Sequence, residues 1–276
     1  MATHLPPVQS GQITRPDGAR ICYETTGTGP ALVFAHGMGG NLMSWWQQVP
    51  EFARDHTCIT LSQRGFGAST APAGVPEIMQ LADDVAALLD HLKIAKATFI
   101  GQSMGGWTGV ELTLAHPDRV ASLVLSCTTG TLDYDCYGDP RIDAWRAGLP
   151  EKHAEMNAAG VHRGTSMIFA REQPALHSLY SAIDRLNDGI DRDGFGERLR
   201  TSRTRGPDFA RRIACPVLAI TGALDYAICP AGVHLVTAQM PNARTAEVPA
   251  TGHSVYFERA AIFNATLREF LDGIGC

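Results

Sequence analysis

Residues 98–116, TFIGQSMGGWTGVELTLAH, place Ser103 between Gly101 and Gly105 directly after an apolar run. A serine hydroxyl attacks a carbonyl only when a base takes its proton and a third group orients that base. The Gly-x-Ser-x-Gly spacing is easily met by accident in a chain with 28 glycines, so its surroundings must decide. They favour a sharp turn. ATFI (97–100) reads as a strand and the residues from Met104 as a helix, the strand–turn–helix context of a nucleophile elbow. Glycines on either side let strand and helix come close because no Cβ intervenes. The helix N-terminus favours negative charge forming beside the hydroxyl. The competing role for Ser103 is a plain helix cap.

His253, in VPATGHSVYF, follows the last strand candidate and is the expected base. His36, directly after an earlier strand, is its rival and is assigned to shaping the backbone of FAHGMGGN. Asp225, in PVLAITGALDYAICP, lies four residues beyond a strand and is the expected orienting acid, with Asp133 and Asp135 in reserve. A tetrahedral intermediate also needs two aimed N–H donors. The N–H groups of Met104, next to the serine, and of Met38, in the glycine-rich turn 36–41, are expected to supply them. Gly37 and Trp107 are the expected substrate contacts. The run Gly37-Met38-Gly39 begins a dinucleotide fingerprint but leaves it incomplete, because Leu42 stands where its third glycine belongs.

Residues so distant in the chain can meet only on a scaffold that returns repeatedly to one rim. QITRPDGARICYE reads as two short strands joined by the turn Pro16-Asp17-Gly18. ALVFAH (31–36), TCITL (57–61), ATFI, VASLVLS (120–126), PVLAIT (216–221) and RTAEV (244–248) follow as strands. Helices are expected near 44–54, 78–92, 104–116, 230–240 and 260–271. In the second of these, Leu81, Val85, Leu88, Leu89 and Leu92 share one face at helical period. Unbroken apolar strands alternating with helices imply a mostly parallel sheet covered on both faces. Ligands of such sheets bind outside the carboxyl ends of the strands, where the candidate residues fall.

From 130 to 207 the rhythm breaks into charged, glycine-containing sequence with short helical patterns and no strand. This stretch is expected to be a helical insertion over the active face, since long insertions in compact domains usually carry function. It holds ten arginines against twelve acidic residues. One of those arginines is a candidate clamp for a substrate carboxylate, the alternative being a solvated helical face. Trp145 and Phe169 are candidate pocket aromatics, or core residues.

A hydrophobic fraction of 45% and a charged fraction of 18% are those of a compact globular chain. The net charge of −5 argues against a nucleic-acid surface. No window reaches the ~18 apolar residues of a membrane helix. MATHLPPVQSG lacks a charged start followed by an apolar run, so no secretory signal is expected. Cys276 is the last residue, so no prenylation box is expected either. Seven scattered cysteines without a C-x-x-C pair imply no disulfide framework and a reducing, cytoplasmic setting. No H-E-x-x-H or clustered ligand spacing occurs among ten histidines, so neither metal nor cofactor is expected. Homo-oligomerisation is left open.

HGMGG, RGFGAS (64–69), GQSMGG (101–106), GALD (222–225) and GHS (252–254), in this order and at these separations, resemble the α/β-hydrolase family. The resemblance covers nearly the whole chain. It implies an eight-stranded, mostly parallel sheet with helices on both faces and a helical cap between the sixth and seventh strands. Residues 1–129 and 208–276 would then form the core and 130–207 the cap. The order Ser103, Asp225, His253 matches the order of that family's triad. One departure is visible: SQRGFGAS begins with Ser62 where many such proteins carry aspartate, at a position not usually catalytic. Serine at the nucleophile position sets the chain apart from dehalogenases and epoxide hydrolases of this fold, where aspartate would be expected. What the resemblance implies is a cofactor-free serine hydrolase acting on a small-molecule carboxylic ester or lactone. Two alternatives stay open: a C–C bond hydrolase of a vinylogous diketone using the same triad, and a hydrolase-fold receptor with little turnover.

Overall fold

The computed structural model describes residues 6–72, 76–187 and 189–275, so the first five residues of the N-terminal stretch and Cys276 lie outside it. The strands are β1 (Gln9–Thr14), β2 (Arg20–Thr26), β3 (Ala31–Ala35), β4 (Thr57–Leu61), β5 (Ala97–Gln102), β6 (Val120–Ser126), β7 (Val217–Gly222) and β8 (Ala243–Val248). They form one eight-stranded sheet in the order β1-β2-β4-β3-β5-β6-β7-β8. β1 and β2 make an antiparallel hairpin, and β2 pairs antiparallel with β4. From β4 onward every pairing is parallel.

Each inner strand is apolar on both sides because each side meets a different helical layer. Successive side chains of a strand point to opposite faces. Val33, Phe99, Leu123 and Ala219 therefore enter one core cluster, while Leu32, Phe34, Ile100, Val124 and Leu218 enter a second. The first is covered by α2 (Ile78–His91), α3 (Met104–Ala115) and α9 (Pro230–Thr237), the second by α1 (Val49–Phe52), α10 (Val255–Glu258) and α11 (Ala260–Ile274).

The single helix expected near 44–54 is corrected by the structure. A 3₁₀ turn at Leu42–Trp45 and the four-residue α1 replace it. Pro50 has no N–H to continue a helical ladder, and it sits instead in the first turn of α1, where that donor is not needed.

Between β6 and β7 the chain is helical: α4 (Pro140–Ala158), α5 (Met167–Glu172), α6 (Pro174–Arg185), α7 (Arg192–Thr201) and α8 (Pro207–Arg211). An isolated bridge between Leu132 and Arg205 draws the two ends of this insertion together. Among the described residues no helix is long and apolar enough to cross a membrane.

Candidate active site

β5 ends at Gln102 and α3 begins at Met104, so one residue makes the whole turn. That residue is Ser103, at φ 48° and ψ −115°. Its N–H donates to Ser126 O on β6 (3.0 Å) and its carbonyl accepts from Gly106 N–H (2.8 Å). The flanking glycines follow from contact. A Cβ on Gly101 would strike the Gly105 carbonyl, and one on Gly105 would strike that of Ala35, so α3 sits directly on β5 and β3.

His253 Nε2 lies 2.8 Å from Ser103 Oγ, and its Nδ1 lies 2.8 Å from Asp225 Oδ2. A carboxylate only accepts, so Nδ1 carries the proton and Nε2 presents a lone pair to the serine hydroxyl. The other carboxylate oxygen, Asp225 Oδ1, accepts the N–H groups of Ala227 (2.8 Å) and Ile228 (2.9 Å). Asp225 is 1% exposed and His253 7%. The His253 carbonyl accepts from Gln102 Nε2 (3.0 Å), which ties the histidine loop to the residue before the serine.

The other wall comes from the turn after β3. Its Gly37 is wedged against the elbow, and a Cβ there would meet Gln102 Oε1 and come within 3.0 Å of Ser103 Cβ. His36 does not reach the serine. It is wholly buried, its Nε2 accepts from Gln63 N–H (2.9 Å), and its Nδ1–H donates to Gly37 O (2.7 Å). Burial lowers its pKa to about 4, so the ring is neutral. Gln63 Nε2 returns a bond to His36 O (2.7 Å), and Thr108 Oγ1 donates to Gln63 Oε1. The turns after β3 and β4 are thereby fastened to α3. Among the described residues neither Met38 N–H nor Met104 N–H donates to a protein acceptor. Ser62, the departure from the family pattern, accepts Leu42 N–H with its hydroxyl (3.2 Å), a loop-shaping bond.

The insertion touches each loop of the site. Trp145 Nε1 on α4 donates to Asp225 O (2.8 Å), and His153 Nε2 to Tyr226 O (3.0 Å). Tyr180 on α6 bonds Ser254 Oγ through its hydroxyl (2.9 Å), and Asp184 Oδ1 lies 3.0 Å from where a Cβ on Gly39 would stand. Asp184 is itself held by His162 (3.3 Å) and Arg192 (2.8 Å). Trp107 is buried and donates to Leu199 O (3.1 Å) and Ser202 Oγ (3.0 Å), which places its N–H at the seam between α3 and α7. Arg203 lies between the Trp107 and Tyr134 rings. Arg141, Arg146, Arg198, Arg200 and Arg205 pair with carboxylates of the protein. Phe169 is core, edge-on to Phe257.

Cys127 Sγ, an Asp225 oxygen and a His253 nitrogen lie within 4.8 Å of one another, a donor set that could converge on a cation. Burial pushes the thiol well above its ordinary range, so it stands as a neutral thiol with its S–H toward Gly252 O (3.9 Å). Nothing in the sequence marks Gln63, Gln102, His153, Tyr180 and Glu258 as supports of the site. Gln63 directly precedes RGFGAS and Gln102 lies within GQSMGG, but nothing in one dimension aims them. Tyr180 shares the apolar face of α6 with Leu176 and Ile183, a period that marks burial but not its bond to Ser254, and His153 carries no motif signal.

The chain matches the family model for the alpha/beta hydrolase fold over residues 30–260. It is 31% identical to 3-oxoadipate enol-lactonase 2 of Acinetobacter baylyi, covering 85% of this chain and 86% of that one. It is 30% identical to the 2-hydroxy-6-oxononadienedioate/2-hydroxy-6-oxononatrienedioate hydrolase of Burkholderia vietnamiensis, covering 91% of each. The crystal structure of the enol-lactonase from Burkholderia xenovorans LB400 superposes with a TM-score of 0.73 at 28% identity, over 93% of this chain and 98% of that one.

Proposed function

The chain belongs to the alpha/beta hydrolase fold family, and from that premise we propose that it is a cofactor-free serine hydrolase cleaving a small carboxylic ester or lactone through an acyl-enzyme. The observation that carries this reading is the unbroken line from Ser103 Oγ through the His253 ring to Asp225, with both gaps at 2.8 Å. In this reading His253 Nε2 takes the serine proton as Oγ attacks the carbonyl, and Asp225 stabilises the imidazolium. Met38 and Met104 N–H receive the oxyanion at the N-terminus of α3. His253 then protonates the leaving alcohol and activates the water that releases the acid. Gly37 and Trp107 are assigned to substrate contact. Residues 130–207 are assigned as a cap, on their bonds to Asp225, Tyr226 and Ser254. The enol-lactonase relative supports a lactone or enol-ester substrate. Free thiols at the six described cysteines fit a reducing, cytoplasmic setting.

Labelling with a fluorophosphonate, followed by mass spectrometry of the modified peptide, tests the nucleophile directly. Modification is expected on Ser103, and Ser103→Ala is expected to lose both labelling and p-nitrophenyl ester turnover while remaining folded. Label on another residue, or turnover retained by Ser103→Ala, would overturn the assignment. A second reading, hydrolysis of a C–C bond in a vinylogous diketone, is favoured by the Burkholderia vietnamiensis relative. A panel of short esters, lactones and dienoates separates the two by kcat/KM.

A further inference from the structure

We propose that Glu258 is a positioning residue for this reaction: its buried carboxylate grips the two chain neighbours of His253 and so holds the imidazole in line between Ser103 and Asp225. The inference rests on the reading of the site given above. Glu258 ends α10, five residues beyond the histidine, and is 2% exposed. Its Oε2 accepts Gly252 N–H (3.1 Å) and its Oε1 accepts Ser254 N–H (3.3 Å). One carboxylate therefore brackets His253 from both sides. With the Gln102 bond to the His253 carbonyl, three consecutive residues of the loop are tied by their backbone.

The same carboxylate reaches the insertion. Oε2 also accepts Ser166 N–H (3.2 Å) and Ser166 Oγ–H (2.6 Å). Ser166 is the N-cap of α5, where its oxygen accepts Phe169 N–H (3.0 Å). The approach is close: a Cβ on Gly252 would lie 2.8 Å from Ser166 N and 3.0 Å from Glu258 Oε1.

The choice of a carboxylate is informative. Among the described residues no cation pairs with Glu258, and burial raises its pKa. A buried charge without a counter-ion is costly unless donors surround it, and here four donors do. A loop brace alone needs no charge. What a carboxylate adds is two acceptor oxygens, one for each flank of the histidine; a glutamine would turn an NH₂ group toward one of those N–H donors. Misplacing a reacting group by about 1 Å can cost on the order of 100-fold in rate, so a device that fixes the loop on both sides acts on kcat.

The test compares Glu258→Gln with Ser166→Ala in the full chain, using p-nitrophenyl acetate turnover, the rate of fluorophosphonate labelling and the far-downfield proton signal of the His253–Asp225 bond. Folding is checked by circular dichroism and thermal melting. Glu258→Gln is expected to lower kcat and the labelling rate by about 10- to 100-fold, to leave KM within about threefold, and to shift or broaden the downfield signal. Ser166→Ala, which keeps both grips on the histidine loop, is expected to keep kcat within about threefold and to retain the signal. In the unsubstituted protein the amides of Gly252 and Ser254 are expected to exchange slowly with solvent, a readout that holds even if Glu258→Gln does not fold. A folded Glu258→Gln protein with unchanged kcat and signal, or fast exchange of both amides, would overturn the proposal. Ser103→Ala run alongside separates the failures: if that variant stays active, the reading of the site is wrong; if it is inactive while Glu258→Gln is fully active, only the positioning role falls.

Discussion

Ser103 is held at a positive φ that residues bearing a Cβ disfavour, and such positions cost on the order of 1–3 kcal/mol when the surrounding structure imposes them. The turn places the hydroxyl outside both strand and helix, within reach of His253. Ser103→Gly is therefore expected to be more stable than Ser103→Ala by about 1 kcal/mol in urea unfolding, although both lack the hydroxyl. Equal stabilities would show that the turn carries no strain. Asp225→Asn replaces an acceptor-only group with an amide that no longer dictates which ring nitrogen of His253 carries the proton. It is expected to lower kcat by about three to four orders of magnitude with the fold intact. A loss below tenfold would mean that the ring is oriented by other contacts.

Among the elements, α3 is the one on which the proposed nucleophile depends. It is buried nearly all round and has no polar stripe, so its helical character shows through length and not through amphipathic period. Gly105→Ala forces α3 away from the Ala35 carbonyl, and is expected to cost about 2 kcal/mol or more and to lower activity with it. Full stability in a thermal melt would show that the helix has room. The helix α4 reaches the acid loop through Trp145. Trp145→Phe leaves the Asp225 carbonyl without that donor, and a loss of about three- to tenfold in kcat with little change in KM is expected. If KM rises instead while kcat stands, Trp145 is a substrate contact. This contact was illegible in the sequence, where one tryptophan in a charged helix points nowhere in particular.

Across the whole molecule, burial of a neutral histidine between the two loops of the site couples stability to pH. The unfolded His36 ring takes a proton below about 6.5, whereas the folded one resists until about 4. Between those values the unfolded state binds more protons, so stability falls as pH drops from 6.5 toward 4 and this contribution is flat below. The shift corresponds to about 3 kcal/mol at full burial. Glu258 acts with the opposite sign: its raised pKa makes the folded state the better proton binder, so its contribution falls as pH rises through the carboxyl range. Denaturant unfolding from pH 7 to 4 is expected to show a shallower acid loss in His36→Gln than in the unsubstituted protein. Identical slopes would show that His36 does not carry the effect.

Some properties are fixed by order along the chain, and these the sequence determined by itself. Apolar runs of strand length alternating with helices lead to a doubly covered parallel sheet, because backbone hydrogen bonding and burial of both faces leave few other solutions. The small residues around Ser103 mark the tight turn, and the placing of Asp225 and His253 just after strands brings them to the same rim. Tertiary structure alone decided which atoms meet. His36 turned toward Gln63 and not toward the serine, Trp145 toward the acid loop, and the Glu258 carboxylate around the histidine. Each of those outcomes depends on side-chain direction, and the partners stand up to 92 residues apart along the chain; a hydrogen bond is set within fractions of an ångström that periodicity and spacing do not encode.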